Sequence, residues 1–194
     1  MPEKTTDFGY QSVPEGEKAR HVAGVFDSVA PRYDLMNDLM SVGLHRMWKR
    51  FAVEASGVRP GERVLDIAGG TGDLARLFTR RVGPQGEVVL TDINPGMLRH
   101  GRDRLLDDGI VLPLVLCDAE KLPFPAGRFD CVTSIDVLHH VPVRAAVAKL
   151  IRALRPGGVL LVRDLVDARG LAGLPRHVLA RVGDRLTRRP RASP

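Results

Sequence analysis

The sequence predicts an α/β protein: an open sheet of five parallel strands with helices on both faces. Three observations carry this. Five short apolar runs read as buried parallel strands. Helix-period segments alternate with them, which implies right-handed crossovers. The stretch RVLDIAGGTGD at 63–73 closes a strand with Gly69, Gly70 and Gly72. That is the composition of a tight strand-to-helix turn approached closely by another group.

Taken in order, 1–17 is a polar leader with little periodicity. Val22, Val25 and Phe26 suit a short helix over 18–28, interrupted at Ala30-Pro31. Helical segments follow at 33–40 and 45–55, with Trp48, Phe51 and Ala52 on one face of the second. Met36, Leu39, Met40 and Met47 are candidates to line a flexible apolar pocket, against the plainer reading of core packing. Together these segments form an N-terminal helical cover. The first strand follows the turn at Arg59-Pro60-Gly61, and the helix after the glycine turn covers 74–81. The second strand covers 87–90 and leads into Asp92. A helix over 95–106 has Asn94 as its N-cap and Pro95 at its first position. The third strand, 112–116, ends at Cys117-Asp118, and the fourth covers 129–135. A helix over 144–154 is stopped by Pro156-Gly157-Gly158, and the fifth strand covers 159–165.

Composition narrows the function classes. The 194 residues suit one domain with a sizeable core. Cys117 and Cys131 both fall in apolar runs, which suits buried thiols in a reducing compartment. The N-terminus carries no apolar signal region, and no run is long enough to span a bilayer. The expected location is therefore the cytoplasm, with peripheral attachment to the inner face of a membrane left open. Of the net charge of +6, residues 163–194 carry +5, from eight arginines against three aspartates. A chain-wide nucleic-acid surface is not indicated, and aromatics to stack on bases are few.

The chemistry gathers at one sheet edge. Asp66 sits late in the first strand, Asp92 ends the second and Asp118 ends the third. In a parallel sheet all three lie at the carboxyl edge, where ligands bind. A carboxylate after the second strand accepts hydrogen bonds from both hydroxyls of a ribose. A polar group after the third meets an adenine edge. With Asp66 and Asp73 on either side of the turn, an ammonium or sulfonium ligand suits it better than a pyrophosphate. The spacing GGTG also lacks the G-x-G-x-x-G form of a dinucleotide site.

These residues resemble the class I S-adenosylmethionine-dependent methyltransferases, whose sheet is Rossmann-like. More narrowly, they resemble the ubiquinone/menaquinone-biosynthesis C-methyltransferases. The likeness runs through TTDFGYQSVP near the start, VFDSVAPRYDLMNDLMSVGLHRMWKR at 25–50 and LDIAGGTGDLA at 65–75. It continues through TDINPGMLRHGRDRL at 91–105, DAEKLPFPAGRFDCVT at 118–133 and LRPGGVLLV at 154–162. The resemblance implies S-adenosylmethionine as cofactor, with Thr71 and the glycines around its methionine portion, Asp92 on the ribose, and Asp118 and Ala119 framing the adenine. It implies a polyprenyl quinol as acceptor, demethylmenaquinol or a methoxy-polyprenyl-benzoquinol. Asp7, Tyr10, Arg32 and Tyr33 fall on the acceptor side. The family's usual serine in the fourth strand falls opposite Ile135, with Ser134 one place earlier.

Two departures stand out. Where the family has an Arg-Asn pair after the fourth strand, this chain has His139-His140, candidates for a general base. No third ligand stands near them, so no metal site is expected. The second departure lies after the fifth strand, where the family's last two strands form an antiparallel hairpin. Leu174, Val178, Val182 and Leu186 recur there at helical spacing among arginines, so the sequence predicts no hairpin but a basic amphipathic helix. That helix covers the strand edge or rests on an anionic membrane; failing both, the open edge invites a second copy of the chain. The divisions expected are a cover and acceptor-side segment at 1–57, a cofactor-binding core at 58–166 and the basic helix and tail at 167–194. Rival readings are a methyltransferase for another small molecule and a non-catalytic, membrane-associated cofactor-binding scaffold.

Overall fold

The computed structural model describes residues 5–8, 11–14, 44–138, 141–164 and 176–181. In chain order the elements are β1 (Thr5–Phe8), β2 (Gln11–Pro14), α1 (Leu44–Ser56), β3 (Arg63–Ile67), α2 (Asp73–Val82) and β4 (Glu87–Asp92). Then come α3 (Pro95–Asp107), β5 (Leu114–Leu116), β6 (Phe129–Ile135), α4 (Val143–Ala153), β7 (Leu154–Asp164) and β8 (Arg176–Arg181). The main sheet has the order β5-β4-β3-β6-β7-β8. Its first five strands are mutually parallel, and β8 runs antiparallel to β7.

The apolar runs form parallel strands because both faces of the sheet are covered. Along β3, Val64 joins a core with Val53, Leu74, Phe78, Leu90 and Leu105, under α1, α2 and α3. Its neighbours Leu65 and Ile67 join the opposite core with Phe124, Phe129, Leu150 and Leu160, against α4. Alternation therefore puts Asp66 on the same face as Val64. Asn94 caps α3 as the sequence predicts, its side chain accepting hydrogen bonds from the Gly96 and Met97 amides, with Pro95 at the first helical position.

Two expectations are corrected. The leader contains a hairpin, in which Thr5 pairs with Pro14 and Phe8 with Gln11. That register leaves a two-residue connection, and glycine first in such a connection is a hairpin signal. At the other end, Arg176–Arg181 is a strand, not part of a basic helix, and Val178 pairs with Val162. The backbone groups along the outer side of β7 need partners, and a neighbouring strand supplies them more completely than a helix face. One antiparallel strand thus stands beside the fifth parallel strand and covers the edge that, without a covering helix, would have been left open to a second copy. The residues flanking β8, and the helices expected at 18–28 and 33–40, lie outside the described residues.

Helix α1 also turns differently from the sequence reading. Ala52, Val53 and Ser56 are buried, whereas Met47 and Phe51 are 65% and 64% exposed. The inward face is Lys49, Ala52, Val53, Ser56, at the i, i+3, i+4, i+7 spacing. Cys131 is buried, Cys117 is half-buried, and both are free thiols.

Candidate functional site

Chain order reverses between β3 and β6, so the switch point of the sheet lies at their carboxyl ends. Each strand is followed there by a non-glycine residue with positive φ, Ala68 at 50° and Asp136 at 53°. Such backbone costs free energy and persists only where its surroundings hold it.

Asp66 is 1% exposed at the end of β3. In the β3–β6 register it lies opposite Thr133, whose Oγ1 donates to Asp66 Oδ1 over 2.6 Å. Oδ2 makes no close hydrogen bond among the described residues, and the Ala75 amide only biases the carboxylate toward its charged form. Burial dominates and pushes the Asp66 pKa up to about 6, against the lowering influence of Thr133 and Lys49. The glycine turn is packed against this carboxylate. A Cβ on Gly69 would lie 2.5 Å from Asp66 Oδ2, so only glycine brings the turn so near.

Asp92, at the end of β4, is buried too. Its Oδ2 accepts from the Gly70 amide at 3.0 Å and its Oδ1 from the Asn94 amide at 2.8 Å. Burial raises its pKa, with the Asn94, Gly70 and Ile93 amides opposing. The carboxylate keeps lone-pair capacity for a ligand. Helix α3 approaches the turn through Gly101, where a Cβ would stand 2.7 Å from the Gly70 carbonyl oxygen. Asp118 follows β5, and its Oδ1 accepts from the Glu120 amide at 2.8 Å. Ala119 packs on the core beside β6. Asp66, Gly69, Gly70, Thr71, Gly72, Asp92, Asp118 and Ala119 thus lie at or just after the carboxyl ends of the adjacent strands β3, β4 and β5. His139, His140, Tyr10, Arg32 and Tyr33 lie outside the described residues. Asp7 lies in β1, paired with Ser12. Ser134 is buried one residue beyond Thr133, so strand alternation puts it on the opposite face from Asp66.

The sequence reading sets Asp73 beside the turn, but the cations that hold it, and the Asp136–Arg163 pair, escape that reading. Asp73, the first residue of α2, receives Lys49 Nζ at 2.8 Å and Arg104 Nη2 at 3.0 Å. Burial alone would raise its pKa, but the two cations outweigh burial and lower it. Arg104 Nη1 also donates to the Thr71 carbonyl at 3.4 Å. On the far side, Arg163 Nη1 donates to Asp136 Oδ2 at 3.2 Å, and its Cζ lies 4.7 Å from the centre of the Trp48 ring. Only the inward spacing of Lys49 with Ala52, Val53 and Ser56 could have signalled one of these contacts. Among the described residues no three His, Cys, Asp or Glu side chains gather to hold a metal ion.

The fold and this edge define a class: an open, largely parallel α/β protein with a glycine-cradled, acidic ligand edge at its switch point. The chain belongs to the ubiE/COQ5 methyltransferase family, whose model matches residues 14–169. It is 62% identical over 162 residues to the ubiquinone/menaquinone biosynthesis C-methyltransferase UbiE of Nitrosospira multiformis, covering 83% of this chain and 66% of that protein. It is 62% identical over 165 residues to the protein of the same name from Pseudomonas paraeruginosa, covering 84% and 64%. The chain therefore spans just under two thirds of the length of these relatives. Among solved structures, its fold is similar to that of a SAM dependent methyltransferase from Aquifex aeolicus, with TM-score 0.56 and 20% identity over 63% of this chain and 68% of that one.

Proposed function

We propose that this chain transfers a methyl group from S-adenosylmethionine to a ring carbon of a polyprenyl quinol, in the biosynthesis of menaquinone, ubiquinone or both. The observation that carries the reading is the pair of buried carboxylates, Asp66 and Asp92, on either side of Gly69-Gly70. Neither has a salt-bridge partner among the described residues, and Asp66 Oδ2 lacks a close donor. Buried acids that no cation pairs with directly favour a ligand that brings positive charge and hydroxyl donors. A sulfonium nucleoside brings both; a pyrophosphate would add charge of the same sign.

In this reading Asp92 accepts from the ribose hydroxyls. Asp66, Gly69, Gly70, Thr71 and Gly72 surround the methionine portion, and Asp118 and Ala119 frame the adenine. The bound cofactor supplies an electrophilic methyl group. The chain's own work is to hold the quinol ring carbon in line with that methyl and to keep the pair aligned. As the new carbon–carbon bond forms, the ring gives up a proton. His139 or His140 is proposed to take a proton from the phenol or the ring carbon. Tyr10, Arg32 and Tyr33 are proposed to face the acceptor.

The relatives' names support the quinol assignment, and the match to the family model covers all five parallel strands. The proposed setting is the cytoplasm, with peripheral contact at the inner membrane face. That contact now rests on the lipid nature of the acceptor and the basic end of the chain rather than on a helix. Among the described residues no helix is long and apolar enough to cross a membrane. The test is incubation with methyl-labelled S-adenosylmethionine and a short-chain demethylmenaquinol. Label in the quinol ring is expected; cofactor binding without transfer to any quinol would overturn the reading in favour of another acceptor or a scaffold.

A further inference from the structure

We propose that Lys49 and Arg163 are positioning residues that tie the two lips of the ligand edge to the start of α1, so that both lips answer a ligand as one unit. The inference rests on the S-adenosylmethionine site proposed above. One lip is the glycine turn, which runs into Asp73. The other is the end of β6, which runs into Asp136.

The first lip is held by charge. Lys49 and Arg104 bind the two oxygens of Asp73 from opposite helices, and Arg104 also reaches the Thr71 carbonyl inside the turn. The second lip is held by Arg163. Its backbone carbonyl accepts from the Asp136 amide at 2.8 Å and its guanidinium donates to the Asp136 carboxylate at 3.2 Å. These contacts help hold Asp136 at φ 53°, a conformation that must be imposed from outside on a residue with a Cβ.

The two lips meet on adjacent residues of one helix. Successive residues of an α-helix point about 100° apart. Lys49 can therefore face α2 while Trp48 faces β7, and α1 packs against both. Arg163 stacks over Trp48 and so links the β6 lip to the same turn of helix that Lys49 links to the glycine turn. Beneath them Ala52, Val53 and Ser56 are buried, which anchors α1 to the core. Exposed ion pairs contribute little alone. Here the ammonium of Lys49 and the guanidinium of Arg163 are both largely shielded, with side chains 20% and 24% exposed.

Trp48 is the chain's only tryptophan, so its fluorescence reports the tie directly. In the full chain without ligand, Arg163→Met should move Trp48 emission to the red, and Arg163→Lys should restore most of the wild-type spectrum. For S-adenosylmethionine affinity by calorimetry, Lys49→Met and Arg163→Met should each weaken binding about threefold to tenfold, from contacts of this kind. The double variant should be weakened by little more than the worse single one, because releasing either end frees the helix start. Losses that multiply, or a Trp48 spectrum indifferent to Arg163→Met, would overturn the proposal. Should the methionine variants fail to fold, Lys49→Gln and Arg163→Gln, which also remove the charge, carry the same cycle. If the wild-type chain binds no S-adenosylmethionine while the Trp48 shift occurs, the cofactor assignment fails and the tie stands. If it binds and Trp48 does not respond, the tie fails and the assignment stands.

Discussion

Replacing Asp66 with asparagine should make the ligand-free chain more stable at neutral pH, and the gain should depend on pH in one direction. Burial lifts the Asp66 pKa from its ordinary 3.8 to about 6. Between those values the folded chain keeps a proton that the unfolded chain has released. Stability therefore falls as pH rises through that window. The cost is absent below the unfolded value and fully present above the folded one. At about 1.4 kcal/mol per pH unit it amounts to about 3 kcal/mol. Asp66 is 1% exposed, so solvent screening removes little of it. The substituted amide would retain the shape and the acceptor for Thr133 but would never ionise. Urea unfolding of both chains from pH 4 to pH 7.5 measures the difference, and groups common to both largely cancel. The advantage of Asp66→Asn should grow toward about 3 kcal/mol as pH rises, with cofactor affinity lost in exchange. A difference that stays flat across the window would refute the idea that Asp66 is held, charged and poorly compensated, inside the fold.

Thr133→Val should destabilise the chain by about 1.5–3 kcal/mol above pH 7, because it removes the 2.6 Å donor to Asp66; the loss should shrink below pH 5, as urea titrations at the two values would show. Gly101→Ala should lower the melting temperature, costing about 1–3 kcal/mol, since its Cβ would press on the Gly70 carbonyl from 2.7 Å. The same variant should weaken cofactor binding more than an alanine at the open Gly109. Asn94→Ala should cost about 1 kcal/mol in thermal or urea unfolding, because the Gly96 and Met97 amides lose their acceptor.

The parts of this fold written in local pattern are legible in the sequence. The runs around Leu65, Val89 and Val132 announce strands because each is buried on both faces. Asn94-Pro95 announces a helix start because capping is settled within four residues. Asp66, Asp92 and Asp118 can be placed on one edge because parallel strands share a direction. Contacts between distant segments are not written locally. Nothing near Asp66 in the sequence points to Thr133; the register between β3 and β6 joins them. Lys49, Arg104 and Arg163 look like ordinary surface cations until the packing of α1 and α3 and the pairing of β6 with β7 set them beside Asp73 and Asp136. At 176–181 two periodicities compete. Val178 belongs to a helical spacing with Leu174 and Val182, but HVLA also reads as a short strand, and the unpaired side of β7 decides between them. At the start, Gly9-Tyr10 between two polar runs carries the hairpin signal on a single glycine.

The central claim is that the acidic, glycine-cradled edge at the ends of β3 and β4 holds S-adenosylmethionine. Calorimetric titration of the wild-type chain and of Asp92→Ala tests it most directly. Binding by the wild type is predicted, together with at least a roughly tenfold loss in Asp92→Ala, the equivalent of one charge-assisted hydrogen bond. Equal affinity in the two chains, or no binding by a folded wild type, would contradict the account.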